Sequence, residues 1–588
     1  MSAATKWKGR AGVLALGVVM VAMALTGLGV SRAAASTGVT TAPPTLSDYW
    51  NGTADWQLAH FYNSFAYGTD PGFGAGNIFR VGPDGAWYWF YRTTLTPHST
   101  CTVPSQAAGT IVRRSVDHGQ TWSTQVPVVD PTPGTPWACA GTDGDAYWTG
   151  SQWMYLFQCE GDPAAPGPWG LEWNVCLYHN SSADPTLGAW QPVVTHPVWG
   201  DYPGGYDPWT AICTTMAKRC GSIAGGTGLV TQAGTPSIFD SPASPGWHFV
   251  DFHGVDTKGN LYQGIAKTQD FVTYVSGTGD VPSDAMFTPA DATSWNEPEA
   301  NWPAGDLGGG GGTVMRNPSD GMFYDVVEAT NGTLCTSASV YDLGILRAST
   351  TSQVVWNQPT LTSRRNPIAY SQQLTPSAEQ YTNRCSPTYE ELFRDPGTGQ
   401  TYLAFVRRSS DNVQGVYVFT LARTLLQNGG ASRCTSTAPW KLASTSAPAA
   451  SFGIFRDGNY ATDGGCYFGF SNDITQTVPV VAGRYTSVTL GGQFAARAQA
   501  SSSPQGYQST AYSAGAKISV VLSQYDSSGR TVGVQSVAVA LPSSGQYTAL
   551  PATSVSVNRA TTSMAYTVKV GQSAGLTVLA GSMLLQPR

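Results

Sequence analysis

The sequence predicts an all-β protein in which a five-bladed β-propeller is followed by a β-sandwich. Charged residues make up only 12% of the 588-residue chain, while glycine, proline and aromatic residues are abundant, which disfavours long amphipathic helices. A hairpin pattern recurs through most of the chain, and the C-terminal part changes to alternating small apolar and hydroxyl residues. A chain of this length is too long for one ordinary core, so it needs several domains or a large closed β-architecture.

The N-terminal segment has the order of a secretory signal. Lys6, Lys8 and Arg10 precede an apolar run over 11–30, and Ala33–Ala35 supplies the small residues of a cleavage site. An uncleaved segment that stays as a membrane anchor is the alternative. In the rest of the sequence, no stretch reaches the ~20 apolar residues that a membrane span requires. We therefore expect cleavage near residue 35 and a secreted, extracellular protein that contacts no membrane after removal of the signal.

The cysteines and the net charge further limit the class of protein and its partners. Ten cysteines, an even number in an exported chain, predict disulfides, and none of them shows zinc-binding spacing. No cysteine follows Cys466, which indicates a change of domain. The net charge of −6 without a basic cluster argues against nucleic acid as a partner. No cofactor or metal is expected from these patterns, although a structural calcium ion stays open.

Three segments can be laid on one another without a gap, at 79–88, 315–324 and 393–402. Each has a bulky apolar residue, an arginine (Arg80, Arg316 or Arg394), a Pro/Asp turn, a glycine five residues after the arginine and a tyrosine eight after it. This turn chemistry is typical of a hairpin. We predict equivalent hairpins in three different blades, and a structural role for the arginines because every copy has one.

A second unit follows the hairpins, with an apolar strand, a small hydroxyl residue and an aromatic six to nine residues further on. The copies pair Ser115 with Trp122, Ser181 with Trp190, Thr268 with Tyr274, and Ser349 with Trp356. A weaker fifth copy lies at 416–423, and further strand pairs lie at 146–158 and 247–265. Five units of ~65 to 100 residues predict radial repetition, in which no single blade can bury its own faces.

At Phe79–Tyr88 and Asp145–Phe157 the chain resembles the five-bladed propeller glycoside hydrolases, which include arabinanases, xylosidases and fructan-cutting enzymes. Their first blade carries a similar Arg-Val-Gly turn. Their second blade carries a carboxylate eight residues before an aromatic residue, and Asp145 precedes Trp153 by the same eight residues. The resemblance spans 45–450 as a pattern. The segment 115–122 also fits the Asp-box of sialidases and related propellers, which supports the propeller.

The C-terminal region, 467–588, alternates with period two between Ser/Gly turns, which predicts an antiparallel sandwich. It looks like the jelly-roll modules appended to secreted glycosidases. Because the region contains no tryptophan, it either binds sugar through tyrosines or acts as a stabilising accessory domain. The predicted domains are a signal peptide at 1–35, a catalytic propeller at 36–455 and a carbohydrate-binding-like or accessory sandwich at 456–588.

Glycoside hydrolysis needs two carboxyl groups ~5 to 10 Å apart, and the inner strands of a propeller bring distant carboxyls together at its axis. The resemblance assigns the base to Asp70, which otherwise only opens a Pro-Gly turn. It assigns to Asp145 the orientation of the acid and the tuning of its pKa. Asp143, two residues earlier, is expected on the same side, as a substrate-binding residue or in a solvated acidic turn.

The general acid is harder to place, because the family position before Pro236 is occupied by Gly234. The richest substitute is the segment 295–302, in which Glu297 and Glu299 are the candidate acids or solvated residues of a rim loop. They are framed by two indoles that could stack on sugar rings, Trp295 and Trp302.

Further candidates complete the predicted site. Glu390 and Glu391 form a second reserve for the acid. Asp306 precedes Arg316 by the ten residues that separate Asp70 from Arg80, which makes it a candidate for substrate binding. His253 alternates with Asp251 on one predicted strand, so it either lines the channel or is a buried, hydrogen-bonded histidine.

Together these observations predict a monomeric, secreted glycoside hydrolase that acts on a plant or microbial cell-wall polysaccharide of arabinan or xylan type, or on its oligosaccharides. A non-catalytic carbohydrate-binding propeller is the alternative, and Gly234 in place of an acid is its best support. A sialidase-like enzyme is a third possibility, which would require a nucleophilic tyrosine and three converging arginines.

Overall fold

The structure is a computed structural model. It describes residues 42–63, 77–93, 101, 108–162, 173–200, 205–206, 229–256, 261–275, 309–335, 338–351, 356–359, 387–409, 412–426, 440–444, 452–456, 466–498, 514–544, 548–551, 553–571 and 576–587. Residues 42–588 belong to one compact unit, and the predicted signal peptide lies outside the described residues. Among the helices described, none has the length and apolar character needed to cross a membrane.

The described elements are almost entirely strands, which confirms the all-β class. The first elements in the described part of the chain are a short helix, α1 (Leu46–Trp50), and the strand β1 (Ala54–Asn63). Thr45 caps α1 through a capping box with Asp48, which satisfies amide groups at the helix start. The first sheet then follows as an antiparallel series of β2 (Ile78–Val81), β3 (Trp87–Thr93), β4 (Gly109–Ser115) and β5 (Val126–Val129).

Four more small sheets follow in the same antiparallel order. The second has β6 (Ala140–Trp148), β7 (Trp153–Glu160), β8 (Asn174–Asn180) and β9 (Gln191–Pro192). The third has β10 (Leu229–Asp240), β11 (His248–Asp256), β12 (Leu261–Thr268) and β13 (Tyr274–Val275). The fourth has β14 (Gly309–Arg316), β15 (Phe323–Cys335) and β16 (Ala338–Ala348). The fifth has β17 (Pro387–Arg394), β18 (Thr401–Ser409) and β19 (Asn412–Arg423), with β1 added beside β19.

The first strands of these five sheets contact one another in a closed ring. β2 contacts β6, β6 contacts β10, β10 contacts β14, β14 contacts β17, and β17 contacts β2 again. Because β1 comes from the beginning of the chain and β17 to β19 come from much later, the fifth sheet ties the two ends of the ring together. Residues at the ring therefore meet although they are far apart in sequence.

An apolar cluster fills the space between each pair of neighbouring sheets. Trp153 and Tyr155 pack with Tyr88 between the second and first sheets, and Phe252 with Leu156 between the third and second. Similar clusters join the third to the fourth, the fourth to the fifth and the fifth to the first sheet. Since each sheet is covered on both faces, strands such as β3 are buried along most of their length.

The three repeated hairpins lie in three different sheets, as predicted: β2–β3, β14–β15 and β17–β18. Each turn contains a glycine with a positive φ, at Gly85, Gly321 and Gly399. The registers differ, however. Arg80 faces the residue eight positions further on, whereas Arg316 and Arg394 face the residue seven positions further on. The first turn is therefore one residue tighter.

The remaining strands form two sheets around a separate apolar core. One contains β20 (Lys441–Leu442), β23 (Ile474–Pro479), β25 (Ala516–Tyr525), β26 (Thr531–Leu541) and β29 (Ser563–Val570). The other contains β21 (Phe452–Arg456), β22 (Cys466–Phe470), β24 (Ser487–Ala498), β27 (Thr548–Ala549), β28 (Thr553–Ser556) and β30 (Leu576–Pro587). Burial alternates along β24 over most of its length, as the period-two pattern predicts. β20 and β21 begin before residue 456 and pair with β23 and β22.

Two disulfides are formed within the first two sheets and their connections. Cys101 pairs with Cys139, and Cys159 pairs with Cys176. The disulfide prediction is therefore confirmed for these four residues.

Candidate active site

A cavity lies where the five first strands meet. All five sheets contribute to its lining, which consists of Asn77, Ile78, Asp143, Asp145, Thr235, Pro236, Ser237, Gly312, Thr313, Glu328, Tyr389, Glu390 and Glu391. Five of these residues carry carboxyl groups. The cavity is therefore acidic, and its acids come from the second, fourth and fifth sheets.

Irregularities in the first strands aim these side chains at the cavity. The pairing register shifts between 142 and 144, 234 and 237, 309 and 312, and 388 and 391. Such a bulge bends the strand and re-aims its side chains, so neighbouring residues can face one space. Asp143, Thr235 and Tyr389 have positive φ angles of 48°, 38° and 53° at these bulges. Residues other than glycine rarely adopt that conformation, so the backbone is strained around the cavity.

One arginine joins two of the carboxyl groups. The Nη2 atom of Arg80 lies 2.6 Å from Oδ1 of Asp145, and Nη1 of the same guanidinium donates a hydrogen bond to Oε1 of Glu391. Its Nε atom donates a hydrogen bond to the carbonyl oxygen of Ala146, at 3.0 Å. The amide of Ile238 donates to the other oxygen of Asp145, at 2.6 Å. Arg80 thus bridges the second and fifth sheets.

Burial raises the pKa of both carboxyls, although Arg80 opposes the shift. For Glu391, burial and the nearby charge of Asp145 outweigh Arg80 and raise the pKa to about 8. Burial also raises the pKa of Asp145. Asp145 forms an ion pair with Arg80 and accepts a hydrogen bond from the Ile238 amide, so we assign the negative charge of the two carboxyls to Asp145. Glu391 is then protonated at neutral pH.

A second pair of carboxyls, Glu328 and Glu390, is hydrogen-bonded across the fourth and fifth sheets. Burial is the main reason that the pKa of Glu390 lies well above its ordinary value, and the charge and hydrogen bond of Glu328 raise it further. The amide of Tyr389 donates to Oε1 of Glu328, at 2.5 Å, and the hydroxyl of Thr313 donates to the carbonyl oxygen of Glu390, at 2.9 Å. The two side chains therefore share one proton at neutral pH.

Two more acids lie behind the lining. Asp251 and Asp325 are fully buried, and Gln263 donates a hydrogen bond to Asp251 at 2.7 Å. A side chain at Gly312 would meet all three residues, the nearest atom being Nε2 of Gln263 at 2.0 Å, so only glycine fits there. Burial raises the pKa of Asp325 to about 7, and burial together with the charge of Asp325 raises that of Asp251.

The predicted site residues fall into two groups. Asp143 and Asp145 line the cavity, and the reserve acids Glu390 and Glu391 lie beside them. His253 does not line it, but its Nδ1 lies 2.8 Å from the hydroxyl of Thr235, which does. The other candidates lie outside the described residues: Asp70, Trp295, Glu297, Glu299, Trp302 and Asp306.

The repeated arginines, for which a structural role is predicted, lie in different surroundings. Arg80 enters the site, whereas Arg316 and Arg394, at the same repeat position, are exposed. Because the first turn is one residue tighter, Arg80 pairs in a different register from Arg316 and Arg394. The gapless alignment of the three segments does not show this difference in register. Since the three arginines do not converge, they do not form the clamp that a sialidase-like site would require.

Sequence reasoning missed Glu328, Thr235 and Asp325. Glu328 and Asp325 lie on β15, a second strand, whereas the predicted acids are those at the start of a hairpin unit. Thr235 stands next to Gly234, and the family pattern expects an acid at that position and no hydroxyl. Within the described residues, no group of three or more His, Cys, Asp or Glu side chains is arranged to hold a metal ion.

The buried acids predict an unusual pH dependence of stability. A carboxyl whose folded pKa is raised favours folding below its unfolded pKa, and this contribution is lost as pH rises through the folded value. Glu391, at about 8, and Asp325, at about 7, both act in this direction. Asp117, whose hydrogen bonds to Thr121 lower its pKa to about 2, acts in the opposite direction at acid pH.

We therefore expect the melting temperature to be highest near about pH 5 and to fall towards about pH 8.5. Circular dichroism melts at constant ionic strength measure this change. A melting temperature that rises steadily from pH 5 to pH 8.5 would contradict the assignment of raised pKa values to the buried acids.

Comparison with known proteins gives no assignment by sequence. No protein-family model matches the chain, and no curated protein matches it. Among solved structures, an α-L-arabinofuranosidase from Lactobacillus brevis is 12% identical with a TM-score of 0.36, covering 59% of this chain and 90% of that one. An endo-arabinase from Bacteroides thetaiotaomicron is 12% identical with a TM-score of 0.36, covering 58% and 92%.

A third structure is an exo-β-1,3-galactanase from Phanerochaete chrysosporium, solved with β-1,3-galactotriose. It is 12% identical with a TM-score of 0.36, covering 90% of this chain and 100% of that one. At these scores the likeness does not decide the chemistry of the cavity, which depends on the residues described above.

Proposed function

We propose that the protein is a glycoside hydrolase and that the cavity between the five first strands is its active site. The observation that carries the proposal is the meeting of five carboxyl groups, from β6, β15 and β17, in one cavity, where Arg80 contacts two of them, Asp145 and Glu391. Glycoside hydrolysis requires one carboxyl that is protonated and one that is ionised, and pairs of carboxyls in different environments supply both.

Glu391 is proposed as the general acid. Its raised pKa keeps a proton available at neutral pH for the leaving glycosidic oxygen. Arg80 holds the side chain in place, and Asp145 is the orienting partner whose charge raises the pKa of Glu391. Both oxygens of Asp145 are engaged, by Arg80 and by the Ile238 amide, which suits orientation better than attack.

The Glu328 and Glu390 pair is proposed to supply the ionised carboxylate. Two carboxyls that share one proton retain one negative charge, which can accept a proton from an attacking water. Because Glu328 accepts a hydrogen bond from the Tyr389 amide, we place that charge on Glu328. The family resemblance assigns the base to Asp70, and Asp70 is kept only as an alternative candidate for this role.

The proposed fold is a five-bladed propeller with a C-terminal jelly-roll-like sandwich. The closed ring of first strands and the apolar clusters between neighbouring sheets support the five blades. We further propose that the protein is a secreted monomer that acts on a cell-wall polysaccharide of arabinan or xylan type. The domain division at 35 and 455 is also a proposal, and the pairing of β20 with β23 favours moving the second boundary to before Lys441.

A non-catalytic carbohydrate-binding propeller is the second candidate. It is favoured by the contacts of Arg80 with Asp145 and Glu391, because these contacts engage two of the five carboxyls and also hold the sheets together. The two candidates share the cavity and differ in turnover. A binding propeller would retain a polysaccharide without releasing sugar from it.

The test is a panel of arabinan, xylan and β-1,3-galactan, assayed both for release of reducing sugar and for retardation of the protein in affinity gels. We expect release from at least one polysaccharide, with kcat/KM falling about tenfold per pH unit above about pH 8, where Glu391 loses its proton. Retardation without release would favour the binding propeller. The absence of both would overturn the proposed function.

A further inference from the structure

Thr235 lies in the cavity in a backbone conformation that its side chain disfavours. It is only partly exposed and has a φ of 38°, between Gly234 and Pro236. Threonine is β-branched, and a β-branched residue with positive φ is a genuine outlier. Such strain persists only where the surrounding structure holds it in place, and it is often found at functional sites.

The strain at Thr235 follows a pattern among the first strands. Asp143 and Tyr389 share the left-handed conformation, and both line the cavity. In each of these three strands, another lining residue follows two positions after the strained one. These residues are Asp145, Ser237 and Glu391. Since the same feature recurs in the second, third and fifth sheets, it belongs to the construction of the cavity and is not an accident of one loop.

His253 fixes the side chain of Thr235 from behind. The hydroxyl of Thr235 lies 2.8 Å from Nδ1 of His253, on the neighbouring strand β11. The ring also fills the space beside Gly234, because a side chain there would lie 2.1 Å from Cε1 and 2.3 Å from Nε2 of His253. The imidazole of His253 therefore leaves no room for an acidic side chain at position 234. The polar group that the third sheet presents beside position 234 is the hydroxyl of Thr235.

We propose that Thr235 binds a hydroxyl group of the sugar substrate and that His253 is the positioning residue that orients the threonine hydroxyl. A threonine hydroxyl has one donor and two acceptor sites, so the bond to His253 leaves others for a ligand in the cavity. The proposal rests on the proposed function. It assigns to the third sheet a contact that orients the sugar relative to the carboxyls of the second and fifth sheets.

The decisive variant is Thr235→Val, which keeps the β-branched shape and removes the hydroxyl. We expect kcat/KM on the best polysaccharide of the panel to fall at least tenfold, while the melting temperature changes by less than about 3 °C. Thr235→Ser should recover most of that loss. The matched control is Thr149→Val, which removes a hydroxyl from the exposed β6–β7 turn and should leave kcat/KM unchanged.

The role of His253 is tested with His253→Phe and with the double variant. If His253 acts through Thr235, the single and double variants lose similar amounts of kcat/KM, because the second change removes nothing further. A double variant whose loss equals the product of the two single losses would overturn the positioning role. Loss of the fold in His253→Phe alone would be seen in its melting curve, and His253→Asn would then replace it in the cycle.

The outcomes separate this proposal from the proposed function. A wild-type enzyme that cuts polysaccharide while Thr235→Val retains full kcat/KM overturns the assignment of Thr235 and leaves the glycoside hydrolase standing. If the wild-type protein binds without cutting, the same variants are compared by retardation in affinity gels, where Thr235→Val must weaken binding. A wild-type protein that neither cuts nor binds overturns both.

Discussion

Replacing Glu391 by glutamine is expected to reduce turnover by a factor of about 10² to 10⁴, because it removes a proton donor while retaining the size of the side chain. The glutamine carbonyl can still accept a hydrogen bond from Arg80, so the contact between the second and fifth sheets is kept in part. We therefore expect kcat to fall much more than the melting temperature. Release of reducing sugar and circular dichroism melts measure the two effects.

Glu160→Gln is the matched control for this variant. Glu160 is also a buried glutamate, and burial raises its pKa to about 7, but it lies at the end of β7 outside the cavity lining. If a raised pKa alone decided the effect, the two variants would lose similar activity. A catalytic role of Glu391 predicts a loss of activity only in Glu391→Gln. Equal activity of Glu391→Gln and Glu160→Gln would show that the general acid is a different residue.

The repeat structure was predictable because it depends on local chemistry. The glycines of the repeated turns adopt positive φ, and the hairpins carrying Arg80, Arg316 and Arg394 lie in separate sheets, as their spacing predicts. Period-two alternation likewise predicted the strands of the C-terminal region. These features are properties of short segments, and no long-range contact is needed to read them.

The candidate site was predictable only where an acid stands on a first strand. Asp145 was found for that reason, whereas Glu328 lies on a second strand and reaches the cavity across the interface of two sheets. The role of Arg80 depends on a one-residue difference in hairpin register, which a gapless alignment of letters cannot express. Gly234 could be recognised as a missing acid, but its cause, the ring of His253, is a contact between strands.

Replacing Arg80 by methionine is expected to destabilise the protein by about 3–5 kcal/mol, because it leaves two buried carboxyl groups without their cation. Arg394→Met is the matched control, since Arg394 has the same repeat position in the fifth sheet and an exposed side chain, and it should change stability by no more than about 0.5 kcal/mol. Urea unfolding monitored by circular dichroism measures both free energies.

The pH dependence of this difference identifies its cause. Glu391 takes up its proton as pH falls through about 8, so the destabilisation of Arg80→Met should shrink as pH falls from about 8 to about 5. Loss of packing by the arginine stem would instead give the same destabilisation at both values. If Arg80→Met is no less stable than Arg394→Met at pH 8, or if its destabilisation does not change with pH, Arg80 does not hold the two carboxyls by charge. The assignment of the negative charge to Asp145 would then have to be abandoned together with the proposed role of Glu391.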